Sequence, residues 1–194
     1  MISVVDKNIK ERAWFINMPK IKLGGFLLTV KDVQRSKEFY ENVLEQELLT
    51  EYGGWAEFVN GISLAPRDEY IEYTSKEIIQ TGGSPISAID KPNNFQVYFE
   101  VENLPYYVDK IKKVDDITII HDVVRAPHGQ DTFRFYDFDN HIIEVSENLQ
   151  DVFDRLTSEG KSLEEIAELW EEDIENVREH FVNGGYMSSW NLDK

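Results

Sequence analysis

The 194-residue sequence predicts an α+β fold in which two βαβββ modules pair into a curved eight-stranded cup, followed by a C-terminal helical extension. Three observations carry this reading. One segment pattern occurs twice, as LGGFLLTVKDV from residue 23 and NFQVYFEVENL from residue 94. Each copy is followed by apolar residues at helical spacing and then by three strand-like runs. Beyond residue 147 the strand pattern gives way to acidic amphipathic turns.

In each copy a short apolar strand ends at a helix cap, Asp32 in the first and Asn103 in the second, whose side-chain oxygens can accept free amides of a first helical turn. After Asp32, the residues Val33, Phe39, Tyr40, Val43 and Leu44 fall on one helical stripe. After Asn103, Leu104, Tyr107, Val108, Ile111 and Val114 do the same, with Pro105 in the first turn, where no amide donor is needed. The runs LLTEY, WAEFV and ISLAP then read as strands of the first module, and ITIIHDVVR, DTFRFYD and HIIEVSE as strands of the second. Asn60-Gly61 and Asp139-Asn140 sit between the last two strands of their modules as residues that tolerate positive φ. A duplicated unit of this kind cannot bury both faces of its sheet, so two sheets pair with their helices outside, and the concave face is the natural pocket. By the period of two, Gln96, Tyr98 and Glu100 share one strand face, as do Leu27 and Thr29.

The organisation that follows is an N-terminal extension over 1–21, a paired-module domain over 22–147 and an acidic helical tail over 148–194. The modules span 22–65 and 94–147, and the linker 66–93 is too long to be structureless, so it is read as a helix followed by a strap containing Gly82, Gly83 and Pro85. In the tail, Leu149, Val152, Phe153 and Leu156 mark one helix. Ser162 and Glu165 form a capping box for a second, Asp173 caps a third, and Gly184-Gly185 ends it. In the extension, Trp14, Phe15 and Ile16 could add an edge strand or dock in a neighbour's groove; a disordered segment is the other reading.

Composition narrows the function. There are no cysteines, so disulfides, thiolate metal sites and a cysteine nucleophile are excluded. The net charge of -17, with no basic patch, opposes nucleic-acid binding, and the acidic string ELWEEDIENVREHF lacks what a DNA-reading helix needs. No run is long enough to span a membrane and no signal-peptide pattern opens the chain, so a cytoplasmic protein without membrane association is expected. No Gly-rich phosphate loop or Gly-x-Ser-x-Gly elbow occurs.

The strings GFLLTVKDVQRSKEFYENVL and FRFYDFDNHIIEVSE, with FQVYFEVENL and the His128-Gly129-Gln130 stretch, resemble the vicinal-oxygen-chelate superfamily, that of glyoxalases, bleomycin-resistance proteins and extradiol dioxygenases. The resemblance covers about residues 22–147, and the string GKSLEEIAELW is similar to tails found on some bacterial members. It implies that metal-using relatives place ligands on the first and last strands of each module. By the repeat alignment those slots here hold Gly25 and Gln96 on the first strands, and Ala65 and Glu144 on the last. Two oxygen ligands alone cannot hold a first-row metal tightly, so no metal and no other cofactor is expected. An atypical site built from Glu144 with His121 or His128 is the minority reading.

The leading expectation is therefore a protein that binds a small molecule in the cup without a tightly bound metal. Its candidate ligand-binding residues are Gln96, Tyr98, Glu100, Arg125, His128 and Arg134. Glu144 is the candidate catalytic residue, as a base or a residual metal ligand; the alternative is a structural carboxylate paired with Arg134 or Arg125. A lyase-, isomerase- or dioxygenase-like enzyme using Glu144 is the second reading. A protein-interaction module acting through the acidic tail is the third, and the reading also admits a homodimer. His141 receives no chemistry from sequence.

Overall fold

The computed structural model describes residues 23–184. The readings for the 1–21 extension, with Trp14, Phe15 and Ile16, and for Gly185 fall outside those residues.

The first module runs β1 (Phe26–Val30), α1 (Val33–Asn42), β2 (Leu48–Tyr52), β3 (Trp55–Phe58) and β4 (Ile62–Pro66). A 14-residue helix, α2 (Arg67–Gln80), occupies half of the linker. The second module repeats the plan with β5 (Gln96–Val101), α3 (Leu104–Ile111), β6 (Thr118–Arg125), β7 (Asp131–Tyr136) and β8 (Ile142–Glu147). The strand orders are β1-β4-β3-β2 and β5-β8-β7-β6, so the module architecture is the duplicated one the repeat predicts. The eight strands form two four-stranded sheets, and no ladder joins them among the described residues.

The local signals act as expected. Asp32 accepts the Arg35 amide and Asn103 accepts the Tyr106 amide, each offsetting one of the donors that a helix start leaves unpaired. In the β3–β4 turn Gly61 takes the positive φ, while Asn60 keeps an ordinary φ and caps the Ile62 amide with its side chain. In the β7–β8 turn Asn140 takes it, and Asp139 does not. These differences follow from side-chain chemistry, since an Asx side chain that accepts a hydrogen bond need not itself turn left-handed.

One core serves both modules. Leu28 and Val30 of β1, Phe39 and Tyr40 of α1, Phe133 and Phe135 of β7 and Ile143 and Val145 of β8 belong to a single buried cluster. Phe39 bridges the modules with edge-on contacts, its ring centroid 6.1 Å from that of Phe135 and 5.2 Å from that of Phe138. A polar clasp reinforces this. The Tyr40 hydroxyl donates to Asp137 at 3.3 Å, the Lys31 amide donates to Asp139 at 3.1 Å, and Arg67 donates to Asp139 at 2.6 Å. The β7–β8 turn is thereby fastened to the first module. His141 lies in the same clasp, its Nδ1 2.9 Å from Asp137, which gives it a structural role.

The tail forms α4 (Leu149–Ser158), α5 (Leu163–Trp170), α6 (Ile174–Val177) and a π-helical segment, Arg178–Asn183. Both halves of the Ser162–Glu165 capping box are present, and Asp173 caps α6. Its apolar faces close on a second, smaller core built around Val152, Phe153, Leu156 and Ile166.

Candidate functional site

The second sheet sorts its residues by alternation. Val97, Phe99 and Val101 of β5 pack against the core, so Gln96, Tyr98 and Glu100 stand on the opposite, open face. Along β8 and β7 the residues between the buried Ile143, Val145, Phe133 and Phe135 share that face, namely Glu144, Ser146, Thr132 and Arg134. Pairing brings Tyr98 opposite Glu144 and Glu144 opposite Arg134. Strand β6 has register shifts between Ile119 and His121 and again between His121 and Val124. The first extra residue sets His121, instead of Ile120, opposite Arg134.

Glu144 is the centre of this face and only 5% exposed. Its Oε2 accepts from Arg134 Nε at 2.8 Å and from Gln96 Nε2 at 2.7 Å, with Arg134 Nη2 at 2.6 Å. Its Oε1 accepts from the Ser146 hydroxyl at 3.1 Å. The Arg134 guanidinium also donates from Nη1 to His121 Nε2 at 3.1 Å. Because His121 Nδ1 faces the Asp122 carbonyl oxygen at 2.8 Å, which can only accept, the proton is assigned to Nδ1 and the lone pair to Nε2. His121 thus donates through Nδ1 and accepts through Nε2.

A second chain of bonds runs across the same face. His128 Nε2 donates to Gln130 Oε1 at 2.9 Å, Gln130 Nε2 donates to the Tyr98 hydroxyl at 2.9 Å, and that hydroxyl donates to Glu100 at 2.9 Å. Four of the expected site residues, Gln96, Tyr98, Glu100 and Arg134, therefore share the face with Glu144, and His128 reaches it through Gln130. Arg125 does not join them: at the far end of β6 it makes two bonds to Asp131, 2.8 and 3.1 Å long, so the cation beside Glu144 is Arg134 alone of the two. The Asp131 carboxyl is held below its ordinary value by that guanidinium.

Sequence reasoning passed over Gln130, Ser146 and Thr132. Ser146 and Thr132 were within reach of the period of two, counted from Glu144 and Arg134; Gln130 lies in a loop, where no periodicity points at a partner. Thr132 is buried, and its hydroxyl has no hydrogen-bond partner among the described residues.

The ladder register also corrects the slot assignment in the first module. Leu27 pairs with Ser63 as Tyr98 pairs with Glu144, and Thr29 pairs with Ala65 as Glu100 pairs with Ser146. The counterpart of Glu144 is thus Ser63, not Ala65; counting along the repeat misplaced it by one alternation. At Gly25 a Cβ would collide with the Gly61 carbonyl oxygen, which accepts the Phe26 amide, so the first-strand slot admits no side chain at all.

The donor set does not suit a metal. Gly25 offers nothing, Ser63 a neutral hydroxyl, and Gln96 turns its amide nitrogen toward Glu144. Glu144 is already matched by a guanidinium, and the one lone pair on His121 accepts from the same group. A divalent ion would have to displace Arg134 and would meet too few anionic or imidazole ligands to hold it. Among the described residues no three His, Asp or Glu side chains are grouped as a metal-holding set.

A separate cleft lies between the modules, lined by Leu44, Gln46, Phe99, Val101 and Tyr107 among others. Glu45, Glu100 and Val145 complete its lining, so it reaches one residue, Glu100, of the Glu144 face. At its edge Glu45 accepts from Lys110 and from the Tyr107 hydroxyl, a bond of 2.7 Å that, with burial, pushes the Tyr107 pKa up to about 12.

Comparison with known proteins gives a consistent picture. The profile of the family described as Glyoxalase-like domain matches residues 23–150. No curated protein matches the chain. Among solved structures, a protein of unknown function from Agrobacterium tumefaciens str. C58 is 26% identical with a TM-score of 0.56, covering 69% of this chain and 98% of its own. A lactoylglutathione lyase from Agrobacterium tumefaciens is 17% identical with a TM-score of 0.50, covering 68% of this chain and 96% of its own. The fosfomycin resistance protein FosX from Listeria monocytogenes is 19% identical with a TM-score of 0.50, covering 69% and 98%. At these identities the last two share the fold alone. No described helix is long and apolar enough to cross a membrane.

Proposed function

The chain belongs to the Glyoxalase-like domain family, and from that premise and the chemistry of the Glu144 face we propose that it binds a small, uncharged, oxygen-bearing molecule in the cup without a metal. The observation that carries the proposal is the state of Arg134. A guanidinium has five N–H donors. Here Nε and Nη2 engage Glu144 and one Nη1 hydrogen goes to His121, while the side chain stays 34% exposed and its remaining donors have no partner among the described residues. It is a donor fork held by those bonds on a polar face, with the Tyr98 ring, 37% exposed, on the other side of Glu144.

Charge decides the ligand class. The guanidinium is already neutralised by Glu144 at hydrogen-bond distance, Glu100 shares the face, and the whole chain carries -17. An incoming anion gains little from a compensated cation and works against that field, whereas a carbonyl or hydroxyl oxygen needs only the unused donors. Gln96, Tyr98, Glu100 and, through Gln130, His128 supply the surrounding polar contacts. The enzymatic reading with Glu144 as base draws no support from this geometry, because three side chains already donate to its two oxygens.

The proposal is tested by protein-observed NMR with two sets of fragments at matched concentration, neutral amides and ketones in one and simple carboxylates in the other. Shifts at the Arg134 Nε–H and the Tyr98 ring with the neutral set are expected. Shifts there only with carboxylates, or shifts confined to residues away from the cup, would overturn it.

A further inference from the structure

The family match ends at residue 150, at the start of α4, so α5, α6 and the π-helical segment are additions to the domain. They are not loosely attached. The loop 126–130, between β6 and β7, is seated against the tail. Gly129, at φ +90°, lies against the side chains of Leu156 and Leu169. The two carbonyl groups at the loop tip are both taken by tail side chains: Trp170 Nε1 donates to the His128 oxygen at 2.8 Å, and Arg155 Nη2 donates to the Gly129 oxygen at 2.6 Å. Arg155 also pairs with Glu147 at 2.8 Å, and Glu147 in turn accepts the Asp131 amide at 2.9 Å where β7 begins.

The opposite side of the same loop reaches the cup. Gln130 is buried, and its Nε2 donates both to the Tyr98 hydroxyl at 2.9 Å and to the Glu147 carbonyl oxygen at 2.6 Å. His128 Nε2 holds the other end of that amide. Gln130 therefore has both of its polar ends fixed; of the two carbonyl groups that the tail grips, that of Gly129 is in the peptide bond to Gln130 and that of His128 lies one residue further back. Moving the loop tip would carry the Gln130 amide with it and release the Tyr98 hydroxyl from its donor.

We propose that the helical tail is a positioning element for the ligand face, with Trp170 and Arg155 as positioning residues that set the Tyr98 hydroxyl through the 126–130 loop. The proposal rests on the reading of the cup as a ligand site. It extends that reading by making tail docking and ligand engagement at Tyr98 linked equilibria, so that each strengthens the other by the same factor. The acidic outer face of the tail plays no part in this; the contacts that matter lie on its buried face.

The test needs no ligand, so its failure is distinct from failure of the cup reading, which the fragment titration reports. Trp170→Phe in the full chain keeps an aromatic ring near Phe153 and Phe181 but removes the indole N–H that bonds His128. Amide hydrogen exchange and the Tyr98 ring resonances are then compared with wild type. Exchange over residues 128–131 is expected to rise about three- to tenfold, the factor set by one lost hydrogen bond. The Tyr98 resonances are expected to shift, with β1 to β4 unchanged. The reciprocal variant Tyr98→Phe is expected to raise exchange in α5. Unchanged exchange over 128–131 with unmoved Tyr98 resonances would overturn the proposal. So would an equal rise throughout the first module, because that reports general destabilisation.

Discussion

At the scale of single residues, the decisive geometry is which cation meets Glu144. Sequence could narrow the partner to Arg134 or Arg125 because both lie on strands of the second module, but the choice depends on cross-strand register, which a one-residue slip inverts. Register puts Arg134 beside Glu144 and gives Arg125 to Asp131. The same dependence moved the first-module slot from Ala65 to Ser63. The Arg125–Asp131 pair makes a pH prediction. Arg125 holds the Asp131 carboxyl below its ordinary 3.8, so the pair's contribution to stability is fully present above 3.8 and is lost as pH falls through the lower folded value. Urea midpoints of Asp131→Asn and wild type should therefore differ at neutral pH and converge as pH is lowered below 3.8. A difference that stays constant across that range would assign the effect to packing.

Elements were the most legible scale. Both module helices, their Asp32 and Asn103 caps, the Ser162–Glu165 capping box and every expected strand stand where periodicity and capping chemistry put them, because those signals are local. The shifts in β6 were not legible: nothing in THIS run of residues, TIIHDVVR, marks which residue is extra, since the bulge is defined by the partner strand. Helix α1 shows how an element signal becomes a tertiary one. The stripe that identified Phe39 as inward-facing could not say that its ring would touch the second module. Phe39→Ala removes a ring that is 3% exposed and bridges the two modules, and a loss of about 3–5 kcal/mol is expected in urea unfolding. The modules should still unfold in one transition, because they share a core. Two separated transitions in wild type would contradict the shared core.

For the whole molecule, the duplication was visible in the chain and so was the helical tail, but their relation was not. The grip of Trp170 and Arg155 on the 126–130 loop joins residues far apart in sequence through backbone carbonyl groups, which carry no side-chain signature. The lack of ligand side chains in the first module was visible in the sequence at Gly25. What stands beside Glu144 was not: the Arg134 guanidinium, which pairs with the carboxylate and donates to His121, the ground for proposing a cup without a tightly bound metal. Metal content measured on the full chain purified without chelator, wild type beside Glu144→Gln, tests this most directly. The expected result is far less than one transition-metal ion per chain in both proteins, with no difference between them. One ion per chain in wild type, lost in Glu144→Gln, would contradict it.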